Sequence, residues 1–236
     1  MKINTVLFDL DGTLLPMDQD IFIKNYFGLL AKKLIPYGYE PDSFIKSIWK
    51  CTHDMIKNDG SKTNEQVFWD GFFEIYHEKA KSAVDTFEDF YRNDFAKVKN
   101  VCGYNKQARE IIDMLKEKNI DAVLATNPVF PNIATYARAS WAGLNIEDFK
   151  LITTYENSKH CKPNPKYYED IVNELELNPK QCLMVGNDVR DDMAAKELGM
   201  KVFLLTDCLI NSENADITEY PQGDFSSLKE YIEELC

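Results

Sequence analysis

The sequence lacks the patterns that would mark a zinc-binding, disulfide-stapled, secreted or membrane-spanning chain. No two of its six cysteines are spaced as a CxxC pair, and they fit neither a zinc site nor a disulfide framework. We interpret them as reduced, partly buried thiols in a reducing compartment. Nowhere do about 18 apolar residues follow one another, as a membrane span needs, and the first residues do not read as a signal peptide. We therefore expect a cytoplasmic protein with no membrane partner.

Basic residues are also in short supply, with 27 lysines and arginines against 39 acidic residues and a net charge of -12. This balance argues against a nucleic-acid backbone as partner, but a local basic patch could still bind a small phosphorylated compound. Of the 236 residues, 44% are hydrophobic, which is enough for a sizeable core in one domain or two small ones. No internal repeat is visible, and we expect a monomer or a weak homodimer.

The pattern of apolar residues changes twice along the chain. Residues 4–10 predict a short buried strand that ends in acidic residues and a Gly-Thr turn. Amphipathic stretches with helical spacing follow, without any strand-like run between them. They cover residues 18–35, 41–57, 63–80 and 82–99. We therefore predict an all-helical cap at residues 16–100, inserted after the first strand.

After residue 101, short apolar strands alternate with helices. The predicted strands are 121–126, 150–153, 182–185 and 201–205, and the predicted helices are 106–118, 131–141, 165–175, 191–198 and 226–235. Such alternation predicts an α/β fold, a Rossmann-like parallel sheet with helices on both faces, made by residues 1–15 and 101–236. Ligands of such sheets bind beyond the carboxyl ends of the strands.

Polar residues gather at the ends of these predicted strands. Taken one at a time, each has an ordinary explanation as a solvated lysine, a local hydroxyl hydrogen bond or a helix cap. Their combination in this order is what indicates a site. The residues are Asp9 and Asp11 in the segment DLDGT, Thr126 and Asn127, Lys162 in CKPNP, and Asp188, Asp191 and Asp192 in GNDVRDD.

This combination resembles the haloacid dehalogenase superfamily, in particular its phosphatase branch with a helical cap after the first strand. The DxDGT segment is the most specific match, and the resemblance covers the whole chain. It implies a phosphomonoester hydrolase acting on a small phosphorylated metabolite through a phosphoaspartyl intermediate. Asp9 would be the nucleophile and Asp11 the acid/base that protonates the leaving oxygen and later activates water.

The resemblance also implies Mg²⁺, which is consistent with the physics of several anionic groups meeting around a phosphate dianion. Asp9 and Asp188 are the expected carboxylate ligands, together with the main-chain carbonyl of Asp11. Lys162 would place positive charge near the phosphoryl oxygens and Asp9. Thr126 and Asn127 would bind the phosphoryl group as well.

The fourth motif departs from the family's common Gly-Asp form, because Asn187 follows Gly186 and the first carboxylate is Asp188. We expect Asp188 to be the direct metal ligand and Asp192 to act from the second shell or through water. Asp191 is the alternative ligand.

Other functions use the same residues. A phosphomutase on a sugar phosphate would re-phosphorylate its product, and a non-catalytic binding protein could retain the scaffold without turnover. Dehalogenases of this superfamily lack a carboxylate two residues after the nucleophile, so Asp11 favours phosphoryl transfer. We assign no substrate contact to the aromatic residues of the cap, since aromatics at helical spacing are more often core.

Overall fold

A five-stranded parallel sheet, in which β1 is second from one edge, organises the molecule. The computed structural model describes residues 2–236, and the strand order in the sheet is β2-β1-β3-β4-β5. Every neighbouring pair is parallel, as predicted. The strands are β1 (Thr5–Phe8), β2 (Asp121–Leu124), β3 (Cys182–Gly186), β4 (Lys201–Leu205) and β5 (Gln222–Gly223).

The register of β1 decides where the site lies. All four residues of this strand are buried, and Phe8 lies opposite Leu124 of β2 and Val185 of β3. The three strands therefore end at the same edge, and the residues that follow them meet there. This edge brings the polar segments of the sequence together.

Helices cover both faces of the sheet, as alternating side chains of β1 show. Val6 and Phe8 belong to one apolar cluster, whereas Leu7 belongs to another that includes Tyr167. The predicted α/β fold class is confirmed. The helices are α1 (Gln19–Leu34), α2 (Pro41–Ile56), α3 (Asn64–Tyr76), α4 (Glu78–Asn93), α5 (Lys106–Glu117), α6 (Asn132–Trp141), α7 (Pro165–Glu174) and α8 (Phe225–Leu235).

Helices α1–α4, which we call the helical insert, all lie between β1 and β2. Aromatic rings pack these helices together. The ring centroid of Phe72 on α3 lies 6.3 Å from that of Phe44 on α2 and 5.6 Å from that of Phe87 on α4. Helix α3 begins with a capping box in which Thr63 and Gln66 satisfy each other's main-chain N–H groups. The division into a cap at residues 16–100 and a core elsewhere stays a prediction.

Two predicted elements are only partly formed. Residues 150–153 run beside β2 and exchange main-chain hydrogen bonds with it, but they make a single bridge at Ile152 rather than a strand. The predicted helix 191–198 is a 3₁₀ helix at Met193–Leu198, because the residues before it form a turn around the Asp188 carboxylate. Among residues 2–236, no helix is both long and apolar enough to cross a membrane.

Candidate active site

Asp9 and Lys162 form the centre of the edge where β1 and β3 end. The Asp9 main-chain N–H donates to the Val185 carbonyl at 2.9 Å, which extends the β1–β3 ladder to the carboxylate. Lys162 Nζ lies 2.9 Å from Asp9 Oδ1, although 153 residues separate the two in sequence. Lys162 is 2% exposed, so its charge acts in a medium of low polarity.

Asp192 holds Lys162 from the other side. Its Oδ1 accepts from Lys162 Nζ at 2.6 Å, and its Oδ2 accepts the Asp188 main-chain N–H at 2.9 Å. Burial alone lowers the pKa of Lys162, but Asp192 and Asp9 outweigh it and raise that pKa well above its usual range. Gly186 makes room for this carboxylate, since a Cβ there would lie 2.1 Å from Asp192 Cγ. Asp192 therefore positions the lysine.

Asp11 faces an arginine that the sequence reasoning did not identify. Arg138 Nη1 donates to Asp11 Oδ2 at 2.5 Å, and Arg138 is 0% exposed. Burial raises the pKa of Asp11 to about 6, with Arg138 acting in the lowering direction and Asp9 in the raising one. Asp11 Oδ1 is buried and has no hydrogen-bond partner within residues 2–236.

Thr126 and Asn127 follow β2 and reach the same edge. The Thr126 main-chain carbonyl accepts hydrogen bonds from the hydroxyls of Thr153 at 2.7 Å and Tyr167 at 2.9 Å, which hold the loop in place. Asn127 Nδ2 donates to Asp191 Oδ2 at 3.1 Å. In the described part of the chain, Asn127 Oδ1 is buried without a partner.

The turn after β3 explains why asparagine occupies position 187. Asn187 accepts from the Thr13 hydroxyl at 2.9 Å and donates to the Cys208 carbonyl at 2.6 Å, so its amide joins three loops. Gly12 adopts φ +86° beside it, and a Cβ on Gly12 would lie 2.4 Å from Asn187 Nδ2. A carboxylate could not donate to Cys208 in this way.

Asp188 and Asp191 occupy different places around that turn. Asp188 Oδ1 accepts the main-chain N–H groups of Arg190 at 2.8 Å and Asp191 at 2.9 Å, which stabilises the turn. Burial, together with the charges of Asp188 and Asp9, raises the pKa of Asp191 to about 6. The Asp191 carboxylate thus lies within electrostatic reach of Asp9.

The site is rich in carboxylates and fits a divalent cation. Two buried cations, Lys162 and Arg138, face the carboxylates at positions 9, 11, 188, 191 and 192. Burial and the charges of Asp188 and Asp9 raise the pKa of Asp191, while Lys162 and Arg190 act in the lowering direction. Within residues 2–236, no three Asp, Glu, His or Cys side chains are grouped closely enough to hold a metal alone. Magnesium suits such a place, because it retains waters and needs only one or two carboxylates.

A cavity of about 390 Å³ lies between the helical insert and the core. Phe130 connects it to the site, since this ring lines the cavity and stacks 4.3 Å from the Arg138 guanidinium. Its lining is apolar or aromatic for the most part, with three carboxylates and one arginine. These residues include Tyr26, Trp49, Phe68, Trp69, Phe87, Tyr91, Phe130, Tyr155, Glu65 and Glu156.

One amide at the start of α3 ties the insert to the core. Asn64 Nδ2 donates to the Pro128 carbonyl at 3.1 Å and contacts Cys161 Sγ at 3.3 Å. Pro128 follows Asn127, and Cys161 precedes Lys162. Asn58 orients this amide by donating to Asn64 Oδ1 at 2.8 Å. The insert is therefore hydrogen-bonded to the two core loops that carry Asn127 and Lys162.

The sequence did contain a signal for Arg138. The buried residues of α6 include Ala134, Thr135 and Trp141, and Arg138 falls on the same stripe at helical spacing. An arginine on the buried face of a helix needs an anionic partner, and Asp11 is that partner.

A parallel α/β sheet thus carries an aspartate pair at the end of β1, with a buried lysine beside the first aspartate. The chain belongs to the haloacid dehalogenase-like hydrolase family, whose model matches residues 3–199. It is accordingly an enzyme, and the family predicted from the sequence is confirmed.

Similar proteins are known in both sequence and structure. Pyrophosphatase PpaX of Bacillus anthracis is 25% identical over 202 residues, covering 85% of this chain and 82% of that protein. A predicted phosphoglycolate phosphatase of Haemophilus somnus 129pt superposes with a TM-score of 0.60 at 19% identity, over 98% of both chains. CbbY of Rhodobacter sphaeroides, solved in complex with phosphate, superposes with a TM-score of 0.60 at 15% identity, over 96% of both chains. At these identities the structural likeness concerns the fold.

Proposed function

We propose that this enzyme is a magnesium-dependent phosphatase that hydrolyses a small phosphomonoester through a phosphoaspartyl intermediate on Asp9. The observation that carries the proposal is the Lys162 ammonium 2.9 Å from Asp9 Oδ1, at the edge where the strands end. A buried ammonium beside a carboxylate lowers the repulsion that this carboxylate exerts on an incoming phosphate dianion. The family and its named phosphatases support phosphoester hydrolysis.

The chain's own residues account for both halves of the reaction. Asp9 attacks phosphorus while Asp11 gives its proton to the leaving oxygen, and the P–O bond to the leaving group breaks. Asp11 then takes a proton from the water that attacks the phosphoaspartate, which releases phosphate and restores Asp9. Lys162 and the Thr126–Asn127 loop bind phosphoryl oxygens through both steps. A bound Mg²⁺ supplies charge neutralisation to the phosphoryl group.

Asp9, the Asp11 main-chain carbonyl and one carboxylate from the turn after β3 would hold the Mg²⁺. We place this second carboxylate on Asp191, because its Oδ2 lies 3.1 Å from Asn127 Nδ2 in the loop after β2, beside the expected phosphoryl site. Asp188, the ligand expected from the sequence, is the rival. Its Oδ1 already accepts two main-chain N–H groups. We assign Asp192 an indirect role, since both of its oxygens already accept hydrogen bonds.

We expect Asp191→Asn to raise the magnesium concentration for half-maximal activity on the order of tenfold or more, since a neutral ligand attracts a divalent ion less. Asp188→Asn should change this concentration less, and Asp192→Asn should lower kcat by loosening Lys162. Titrating magnesium against activity for the three variants at one pH is the measurement. A larger shift for Asp188→Asn than for Asp191→Asn would move the ligand to Asp188.

The cavity supports a substrate whose leaving group is apolar or aromatic. It lies one layer of side chains beyond Asp11, through Arg138 and Phe130. Aromatic walls bind apolar groups, and the three carboxylates of the lining, Glu65, Glu88 and Glu156, outnumber its one cation, Arg92, which disfavours a second phosphate. Burial and the Glu156 charge raise the pKa of Glu65, which indicates that the two carboxylates are close.

Pyrophosphate is the second candidate substrate, because the Bacillus relatives are named pyrophosphatases. We expect magnesium-dependent phosphate release from aromatic phosphomonoesters with a kcat/KM at least about tenfold above that for pyrophosphate. The assay is a panel of phosphorylated metabolites that includes inorganic pyrophosphate. Release of inorganic phosphate without a bisphosphate primer separates hydrolysis from a mutase. Preference for pyrophosphate would overturn the cavity argument while leaving Asp9 in place.

A cavity variant refines this test. Trp49 lines the cavity and is 47% exposed, so Trp49→Ala should fold and selectively raise KM for aromatic esters. Tyr104 is 64% exposed and does not line the cavity, which makes Tyr104→Ala the matched control. Equal effects of both variants on every substrate would remove Trp49 from substrate binding.

A further inference from the structure

Arg138 is the one buried cation of the site that phosphoryl binding leaves without a role. It lies on α6, outside every segment that the sequence marked as catalytic. Its side chain is 0% exposed, and its only carboxylate within ion-pair distance in residues 2–236 is Asp11. A buried arginine with a single anionic partner gives weak net stabilisation, because desolvation opposes the ion pair. Such a residue therefore calls for an explanation besides stability.

Four contacts fix the direction of the guanidinium. Nη1 donates to Asp11 Oδ2 at 2.5 Å, and Nη2 donates to Thr135 Oγ1 at 3.3 Å, one helical turn earlier. The Phe130 ring lies 4.3 Å from the guanidinium carbon, and Phe22 of the helical insert lies at 6.0 Å. The planar group is thus held between α6, the loop before it and α1 of the insert.

These contacts make the two oxygens of Asp11 unequal. Oδ2 is occupied by the Arg138 donor, and Oδ1 is buried with no partner in the described residues. An oxygen that accepts from a guanidinium has no geometry for carrying a proton toward a substrate. The transferable proton accordingly belongs on Oδ1.

We propose that Arg138 is a positioning residue that binds Asp11 Oδ2 and thereby aims Oδ1, with its proton, at the leaving-group oxygen. This inference rests on the proposed phosphatase function. In the step concerned, an Asp9 oxygen forms a bond to phosphorus and the bond from phosphorus to the leaving oxygen breaks. The Oδ1 proton moves to that oxygen, so the product is a neutral alcohol and Asp11 becomes a carboxylate. Arg138 itself neither gains nor loses a proton.

The test uses the dependence of rate on the leaving group. An alkyl phosphate needs its leaving oxygen protonated, whereas 2,4-dinitrophenyl phosphate releases a stable anion without an acid. We expect Arg138→Met to lower kcat/KM for an alkyl phosphate on the order of 10²-fold, and for the dinitrophenyl ester less than about threefold. The quantity kcat/KM reports the step up to phosphoenzyme formation, so slower hydrolysis of the intermediate does not enter it.

Two further variants keep the result decisive. Arg138→Lys retains charge and much of the packing but not the planar fork, so it should show the same selectivity with a smaller loss. It also serves if Arg138→Met does not fold. Arg109→Met is the matched control. Arg109 lies on α5 away from the site, and it pairs with Asp113 of the same helix and with Asp148, which follows α6. In this control variant, kcat/KM should be unchanged for both esters.

If Arg138→Met and Arg138→Lys lowered kcat/KM equally for the two esters, the proposal would be overturned and Arg138 would have a purely structural role. Unchanged kcat/KM for the alkyl phosphate would overturn it as well. A wild-type enzyme that releases no phosphate from either ester would instead refute the phosphatase function. The two failures are therefore distinguishable.

Discussion

Asp9→Asn should fold normally and lose phosphatase activity on the order of 10³-fold or more, because a neutral amide replaces the attacking carboxylate. Rapid quenching of the wild-type enzyme with labelled substrate should trap phosphate on Asp9, and the variant should trap none. Lys162 retains Asp192 as a partner in the variant, at 2.6 Å, so the buried ammonium is not left without a counter-charge.

The matched control lies on the same sheet at its opposite edge. Asp121 begins β2, is exposed and faces Lys150 at 3.5 Å. Asp121→Asn makes the same chemical change far from the site and should retain full activity. Substantial turnover in folded Asp9→Asn, judged by an unchanged thermal melt, would rule out a covalent intermediate on this residue.

Removal of the metal should have an effect of similar size. Chelation should abolish turnover, because the carboxylates around Asp9 then repel the phosphate dianion with only Lys162 and Arg138 opposing them. Added magnesium should restore the activity in full. The measurement is phosphate release against free magnesium concentration in a metal buffer.

Calcium distinguishes a specific site from general charge screening. It takes a larger and less regular shell of oxygens, so Asp9 could bind it through both oxygens and lose its attacking geometry. We expect calcium to inhibit or to fail to activate. Full activity in chelator, or equal activation by both ions, would contradict the magnesium requirement.

The strand-end residues were predictable because their chemistry and their position agree. A carboxylate pair directly after a buried strand has few structural uses, and parallel strands must end at one edge. The close approach of Lys162 to Asp9 could thus be anticipated across a sequence separation of 153 positions. The parallel sheet followed from the alternation of short apolar runs with helices in the same way.

What sequence reasoning missed depends on tertiary packing. Arg138 looks like any surface arginine until the buried face of α6 is known. The contact between the Asp192 carboxylate and Lys162 was also not indicated by spacing, while the expected indirect role of Asp192 near the metal stays a prediction. The strand β5 has only two residues and leaves no periodic signal. Each miss concerns which neighbour a side chain finds, which spacing alone does not encode.

The Asn64 amide links the helical insert to two core loops through one side chain. Its two contacts, to the Pro128 carbonyl and to Cys161 Sγ, belong to loops that arrive from β2 and from the segment before α7. A displacement of α3 that withdraws this amide would therefore break both contacts in a single event. The loops that carry Asn127 and Lys162 would then lose this attachment to the insert together rather than one at a time.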